Sequence, residues 1–254
     1  MYDRIANPQT GWGAAVLDRL PLAGDERVLD AGCGSGRVTE MLLERLPRGR
    51  VVAMDASGPM LEEARRRLAP YVDRVEFVQA DLAKPLPVAP PVDAVLSTAT
   101  FHWVLDHDAL FRNLAAVIRP VGRLVAQCGG AGNIASLKAV LAGVGDGWPG
   151  EYTFATPAET SERLRTAGFV AVETWLTEEP TRFEPGEPFE TFLETVCLRQ
   201  HLERLPAGER QAFVRTVADR MPAPELDYVR LNIVARRAGR RLSRGPGTVR
   251  RGRG

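Results

Sequence analysis

The chain has 254 residues, 44% hydrophobic and 26% charged, which suits one large α/β domain with an elaboration, or two small domains, and excludes wholesale disorder. No window approaches the roughly 20 uninterrupted apolar residues of a membrane helix, and the N-terminal residues lack the charged-then-apolar pattern of a secretory signal, so a cytoplasmic protein is expected. The three cysteines, Cys33, Cys128 and Cys197, are odd in number and form no CxxC pair, so neither a disulfide framework nor a metal site is expected, and the net charge of +1 carries no strong preference of partner.

Helical apolar spacing runs over residues 12–20 and stops at Pro21 and Gly24. Strands and helices then alternate. The strands are expected at 27–30, 51–55, 75–79, 94–97 and 123–127, and the helices between them at 37–46, 59–68 and 108–118. Short strands separated by helices indicate right-handed βαβ units and a parallel sheet covered on both faces. Beyond Gly129 the spacing predicts helices at 134–141 and 158–166, a sixth strand at 170–176, a largely helical stretch at 187–221 and a last strand at 228–235. The expectation is an α/β fold: a doubly wound, mostly parallel seven-stranded sheet. The segment of about 187–221, too long for a turn, forms a helical cap between the last two strands over the sheet's edge. Residues 1–237 make one domain. From 236 to 254 there are eight Arg and no acid, and setting them aside leaves a body of net charge −7. Residues 238–254 are expected to be a basic, disordered tail with little apolar surface to bury. An acidic body is a poor nucleic-acid binder.

The strongest local signal is Val28-Leu29-Asp30-Ala31-Gly32-Cys33-Gly34-Ser35-Gly36, a buried strand that ends in an acid and enters a turn with glycine at every second position. Glycine lets a ligand approach the backbone closely. The spacing is GxGxG; the third glycine of the dinucleotide GxGxxG would fall on Arg37 or Thr39. Asp55 ends the second strand, 19 residues beyond Gly36, where a carboxylate can accept both hydroxyls of a ribose. Asp81, in Ala80-Asp81-Leu82 after the third strand, can accept an exocyclic amine of adenine. Each acid alone has a local alternative, as a helix cap or a loop residue. Three acids at the carboxyl ends of three successive strands are jointly far more specific.

These segments, VLDAGCGSG, VVAMDAS, VQADL and the strand followed by Phe101-His102-Trp103, resemble in order and spacing the class I S-adenosylmethionine (SAM) dependent methyltransferases, a Rossmann-like fold. More narrowly, TATFHWVLDH, the ending YVRLNIVARR and the stretch LETVCLRQHLERL are similar to the trans-aconitate methyltransferase group, which has Gln where this chain has His102. The resemblance covers residues 25–130 most fully. It implies SAM as cofactor. Gly32, Gly34 and Gly36 would line its methionine part, and Asp30 would organise the turn or meet the amino group. Asp55 would bind the ribose, Ala56 or Met60 would flank the adenine, Asp81 would hold its amine and Leu82 would lie against the ring. Thr98, with Ala99 and Thr100, would lie near the sulfonium, and His102 and Trp103 nearest the transferred methyl.

Methyl transfer is a direct displacement to which the enzyme contributes alignment and exclusion of water. A carboxylate acceptor needs no base, whereas a hydroxyl or amine acceptor would profit from His102 as one. Arg199, amid apolar residues of the cap, is a candidate anchor for an acceptor carboxylate; otherwise it is a surface arginine paired with Glu194 or Glu203. His107 and His201 read as structural. The expected function is O-methylation of a small carboxylate-bearing metabolite. The alternatives are a NAD-linked Rossmann oxidoreductase, disfavoured by the glycine spacing, and a SAM-binding module without turnover. The sequence does not fix the oligomeric state.

Overall fold

A computed structural model describes residues 7–239; the first six residues and the arginine-rich segment 240–254, expected above to be a disordered tail, lie outside the described residues. In chain order the elements are α1 (Asn7–Leu17), β1 (Arg27–Ala31), α2 (Arg37–Glu44), β2 (Arg50–Asp55), α3 (Gly58–Arg67), β3 (Val75–Gln79), β4 (Val92–Thr98), α4 (His107–Val117), β5 (Ile118–Gly129), α5 (Ala135–Leu141), α6 (Pro157–Thr166) and β6 (Phe169–Glu178). They continue with β7 (Thr181–Arg182), α7 (Glu187–Phe192), a π-helical turn (Leu193–Cys197), α8 (Arg199–Glu203), α9 (Arg210–Arg220), β8 (Glu225–Leu226) and β9 (Val229–Arg237).

Seven strands form one sheet in the order β3-β2-β1-β4-β5-β9-β6. The first five are parallel, and β9 runs antiparallel to both β5 and β6. Strand order reverses between β1 and β4, and a ligand crevice opens at the carboxyl ends of strands beside such a switch point. The strands β1 and β4 are apolar on both faces because helices cover both. One apolar cluster, with Leu29, Val95, Phe101, Leu110, Phe111 and Ile233, lies on one side, and another, with Val16, Val28, Leu42, Leu43 and Leu68, on the other.

Local chemistry sets several helix ends. Ser57 caps α3 by accepting from the Met60 N–H, with Pro59 in the first turn; Asp106 caps α4 by accepting from the Ala109 N–H at 2.8 Å. Thr156 and Glu159 form a capping box on α6.

The cap between β6 and β9 is present as expected, but it is broken. It divides into α7, the π turn, α8 and α9, and it is tied down by a two-stranded ribbon of β7 and β8 that the residue pattern did not announce. Two-residue strands carry too short an alternation to be read. The cap also has its own core. Phe189, Phe192, Leu193, Leu198, Val214 and Val217 pack with Leu137 and Leu141 of α5, and Trp12 of α1 packs against this cluster. Helix α1 begins five residues before the expected start, and α5, expected from the sequence as a helix without an assigned place, packs with the cap.

Candidate functional site

A cavity of about 810 Å3 opens along the carboxyl edge of the sheet, between β1, β2, β3 and β4 on one side and the cap with α1 on the other. Its volume lies within the usual range for small-molecule sites, roughly 300–1,000 Å3.

The β1–α2 turn forms one wall. Gly32, at φ 86°, lets the Thr100 side chain come so close that a Cβ on residue 32 would lie 2.1 Å from its Oγ1. A Cβ on Gly34 would meet nothing within 4 Å, on the side where the turn faces the cavity. The Gly34 N–H donates to Asp55 Oδ2 at 2.9 Å and the Ser57 N–H to Asp55 Oδ1 at 2.8 Å. The Asp55 carboxylate is thereby held at the cavity wall, and each oxygen keeps a further lone pair for a ligand. Ala56, Met60, Asp81 and Leu82 line the same half; Asp81 Oδ1 is fixed by the Ala83 N–H at 2.8 Å and Leu82 is buried. Thr98, Ala99 and Thr100 follow β4. Ala99 has φ 55°, a left-handed conformation unusual for a residue with a Cβ, held by its N–H donating to the Gln127 carbonyl at 2.7 Å.

Two expected cofactor residues do not line this wall. Asp30 is 1% exposed beneath the turn, where Thr39 Oγ1 donates to its Oδ2 at 2.6 Å. Burial, with a smaller contribution from the Asp55 charge, pushes its carboxyl up to about 7. Its position beneath the turn suits the first of the two roles considered for Asp30, organising the turn. Gly36 also turns inward. A Cβ there would sit 3.2 Å from Ala64, so its lack of a side chain serves the contact between α2 and α3.

The other half of the cavity is aromatic. Trp103, 42% exposed, lies with its ring centroid 5.2 Å from both His102 and Tyr152, and Tyr152 stacks on Phe154 at 5.3 Å and 7°. His102 accepts the Gly129 backbone N–H at Nδ1, 3.2 Å, which places its ring proton on Nε2. Burial, and secondarily the Arg230 guanidinium, pull the ring down to about 3. His102 is therefore a neutral N–H donor whose acceptor nitrogen is already used.

Arg199 stands exposed at the rim and pairs with Glu203 at 3.0 Å, one helical turn on. This is the pairing of the surface alternative; Arg199 also lines the cavity, where an exposed guanidinium bound to its own helix keeps little of its charge for a ligand. His107 and His201 are buried and bond the Phe101 and Trp148 carbonyls at 2.9 and 3.0 Å, as structural histidines.

Sequence reasoning missed Arg230, Trp12, Asn133, Tyr152 and Phe154, all on the cavity wall. Arg230 was the one with a legible signal, a lone cation inside the apolar run of β9. Among the described residues no group of three or more His, Cys, Asp or Glu is arranged to hold a metal, and no helix is long and apolar enough to cross a membrane.

Comparison with known proteins agrees with this architecture. Residues 28–122 match a family model described as a methyltransferase domain. The trans-aconitate 2-methyltransferase of Methylobacterium nodulans is 36% identical over 176 residues, 69% of this chain and 65% of that protein. The enzyme of the same name from Azoarcus sp. is 40% identical over 126 residues, 50% of this chain and 48% of that protein. The chain thus spans about half to two thirds of the length of these curated relatives.

Among solved structures, the YcgJ protein from Bacillus subtilis superposes with a TM-score of 0.63 at 15% identity, over 90% of this chain and 98% of that one. Haemonchus contortus phosphoethanolamine N-methyltransferase 2, in complex with phosphomonomethylethanolamine and S-adenosylhomocysteine, gives 0.61 at 20% identity, over 91% of this chain and 53% of that one. At such identities the likeness is one of fold. With its seven-stranded sheet and its matched segment, the chain has the Rossmann-like fold of the class I SAM-dependent methyltransferases and resembles the trans-aconitate 2-methyltransferase group.

Proposed function

We propose that this protein transfers a methyl group from SAM to a carboxylate oxygen of a small molecule. The observation that carries the reading is the wall formed by Asp55 and the Gly32–Gly34 turn. It offers a carboxylate with free lone pairs, fixed by two backbone N–H groups, beside a turn whose Cβ position at Gly34 is open. That donor set fits a ribose diol and an extended amino-acid chain. SAM, when bound, supplies a methyl group on a positively charged sulfur.

In this reading Asp55 accepts from the ribose hydroxyls, Asp81 from the adenine amine, and Ala56, Met60 and Leu82 flank the ring. Gly32 and Gly34 line the methionine part, with Thr98 and Ala99 beneath the sulfonium. His102 and Trp103 face the acceptor, and Trp103 with Tyr152 and Phe154 excludes water from the reacting atoms.

The acceptor class follows from His102. With Nδ1 holding the Gly129 N–H and the ring kept neutral, it can donate a hydrogen bond but cannot take the proton that a hydroxyl or an ammonium acceptor must lose. An ionised carboxylate needs no such base. The names of the curated relatives support the same class of acceptor. We place the reaction in the cytoplasm, to which three buried free thiols are suited, with residues 1–237 as the working domain and no nucleic-acid partner.

The test is methyl transfer from SAM to a panel of small acids, phenols and amines, read by product mass spectrometry. Methyl esters support the reading. Transfer to phenols or amines alone overturns the carboxylate assignment, and absence of SAM binding overturns the whole.

A further inference from the structure

We propose that Arg230 anchors the acceptor through a single carboxylate, and that the remainder of the acceptor is a flat aromatic or apolar body rather than further acid groups. The inference rests on the methyl-transfer reading above and goes beyond it by naming the anchoring residue and the shape of the acceptor.

Arg230 lies on β9, opposite Gly129 of β5, so it stands beside the backbone that holds His102. It is 3% exposed and lines the cavity. A cation so buried ordinarily has a carboxylate partner, since an unpaired buried charge is costly. Among the described residues Arg230 has none within ion-pair distance. Its Nε reaches Gln127 Oε1 at 3.5 Å, its guanidinium lies 4.4 Å from the Trp12 ring centroid, and Glu179 acts on it only from farther away. Gln127 is itself held by the Asn232 side chain at 2.8 Å, which fixes the position of Nε. The terminal N–H groups are left to meet an anion that arrives with the acceptor.

The other cations of the cavity do not compete. Among the described residues three line it. Arg37 follows the glycine turn in the cofactor half, and Arg199 is exposed and paired with Glu203. Lys138 places its ammonium 5.4 Å from the Phe154 ring centroid and does not line the cavity. The acceptor half therefore offers one buried positive charge.

Around that charge the wall is flat and apolar. Tyr152 and Phe154 stack nearly parallel, Trp103 leans on Tyr152, and the Tyr152 hydroxyl is spent on the Cys197 carbonyl at 3.2 Å, so the ring presents its face and not a free hydroxyl. A second or third carboxylate would be desolvated against these rings without a partner, whereas an aromatic or apolar body would gain contact with them.

The step balances without a further reagent. One carboxylate oxygen stays with Arg230; the other gives its electron pair to the methyl carbon as the carbon–sulfur bond breaks and its pair passes to sulfur. The products are a methyl ester and S-adenosylhomocysteine, and no proton is released. The ester is neutral, so methylation removes the charge that Arg230 held and favours release.

The test compares trans-cinnamate, one carboxylate on an aromatic body, with trans-aconitate, three carboxylates on a short chain. Methyl transfer and equilibrium binding to the S-adenosylhomocysteine-loaded protein are both measured. The proposal expects kcat/KM for cinnamate to exceed that for aconitate by about tenfold or more. It also expects Arg230→Gln and Arg230→Lys to weaken cinnamate binding by roughly 10- to 150-fold, the span for hydrogen bonds to a charged group, while the S-adenosylhomocysteine Kd is unchanged. The Lys variant keeps the charge, and the wild-type preference between the two acids needs no variant at all. Preference for aconitate, an unmoved cinnamate Kd in the folded variants, or a loaded protein that binds neither acid overturns the proposal. Failure to bind S-adenosylhomocysteine overturns instead the methyl-transfer reading on which it stands.

Discussion

The cofactor half of the cavity is built from consecutive turns at the ends of β1, β2 and β3, whereas the acceptor half is assembled from five segments far apart in the chain, carrying Trp12, His102 with Trp103, Tyr152 with Phe154, Cys197, and Tyr228 with Arg230. In the first half backbone N–H groups fix the decisive carboxylate, and its residues follow one another in short motifs. In the second, side chains stack on one another and their positions depend on how the cap and α1 close over the sheet. A wall made by local turns is thus set by short stretches of chain, whereas the chamber facing it takes its chemistry from a few distant side chains.

The largest effect should come from breaking the turn itself. Gly32→Ala puts a Cβ at a positive φ and into the Thr100 side chain. It should cost about 2–4 kcal/mol of stability, from backbone strain and overpacking together, and abolish SAM binding at concentrations that saturate the wild type. Thermal melting and calorimetry check both. Asp55→Ala should be nearly as damaging to SAM and much less so to the acceptor half. A loss of about 1.5–3 kcal/mol in SAM affinity is expected, the range for hydrogen bonds to a charged group. An intact fold with unchanged SAM affinity would remove Asp55 from the site.

The buried Asp30 offers a test by pH. Its folded carboxyl is raised to about 7 from an ordinary value of 3.8, so between those values the folded chain holds a proton that the unfolded chain has lost. The contribution of Asp30 to stability is thus fully present below about 4 and is lost as pH rises through 7. Asp30→Asn keeps an acceptor for Thr39 Oγ1 and should flatten this fall in a series of urea midpoints from pH 4 to 8. His102 works in the opposite sense. Its ring is lowered to about 3, so the unfolded chain takes up the proton first, and stability drops on acidification below about 6.5. His102→Gln should remove that acid-side loss and reduce turnover only modestly. A fall beyond about a hundredfold would assign His102 the work of a general base.

The smallest effect belongs to Arg199. An exposed pair with Glu203 contributes about 0.2–1 kcal/mol at most, so Arg199→Lys should leave turnover, SAM affinity and melting close to those of the wild type. A large loss of turnover would return the carboxylate anchor to the cap and away from β9.

The same division decides what the sequence made legible. Alternating strands and helices, the GxGxG turn and the acids Asp55 and Asp81 are local patterns, and they announced the sheet, its switch point and residues that line one half of the cavity. Asp30 was legible as a member of the motif but not as to depth, because a strand's last residue can face the ligand or the core and spacing alone does not say which. Arg199 was drawn toward the pocket by its apolar neighbours, yet its own helix supplied a partner one turn away. Trp12 and Tyr152 were out of reach for a different reason: Trp12 meets Arg230, more than 200 positions away, and packs with the cap only when the cap closes its separate core over the sheet.

Methyl transfer from SAM to a carboxylate oxygen, with His102 a hydrogen-bond donor and not a base, is the reading most open to direct measurement. The experiment gives the full chain SAM with an isotopically labelled methyl group and, in parallel runs, trans-cinnamate, a simple phenol or a primary amine, and follows product by mass spectrometry and proton release in weak buffer. The expected result is a labelled methyl ester of cinnamate, formed with no proton released at the methyl-transfer step. Labelled product on a phenol or an amine under the same conditions, formed with stoichiometric proton release and with no ester, would contradict it.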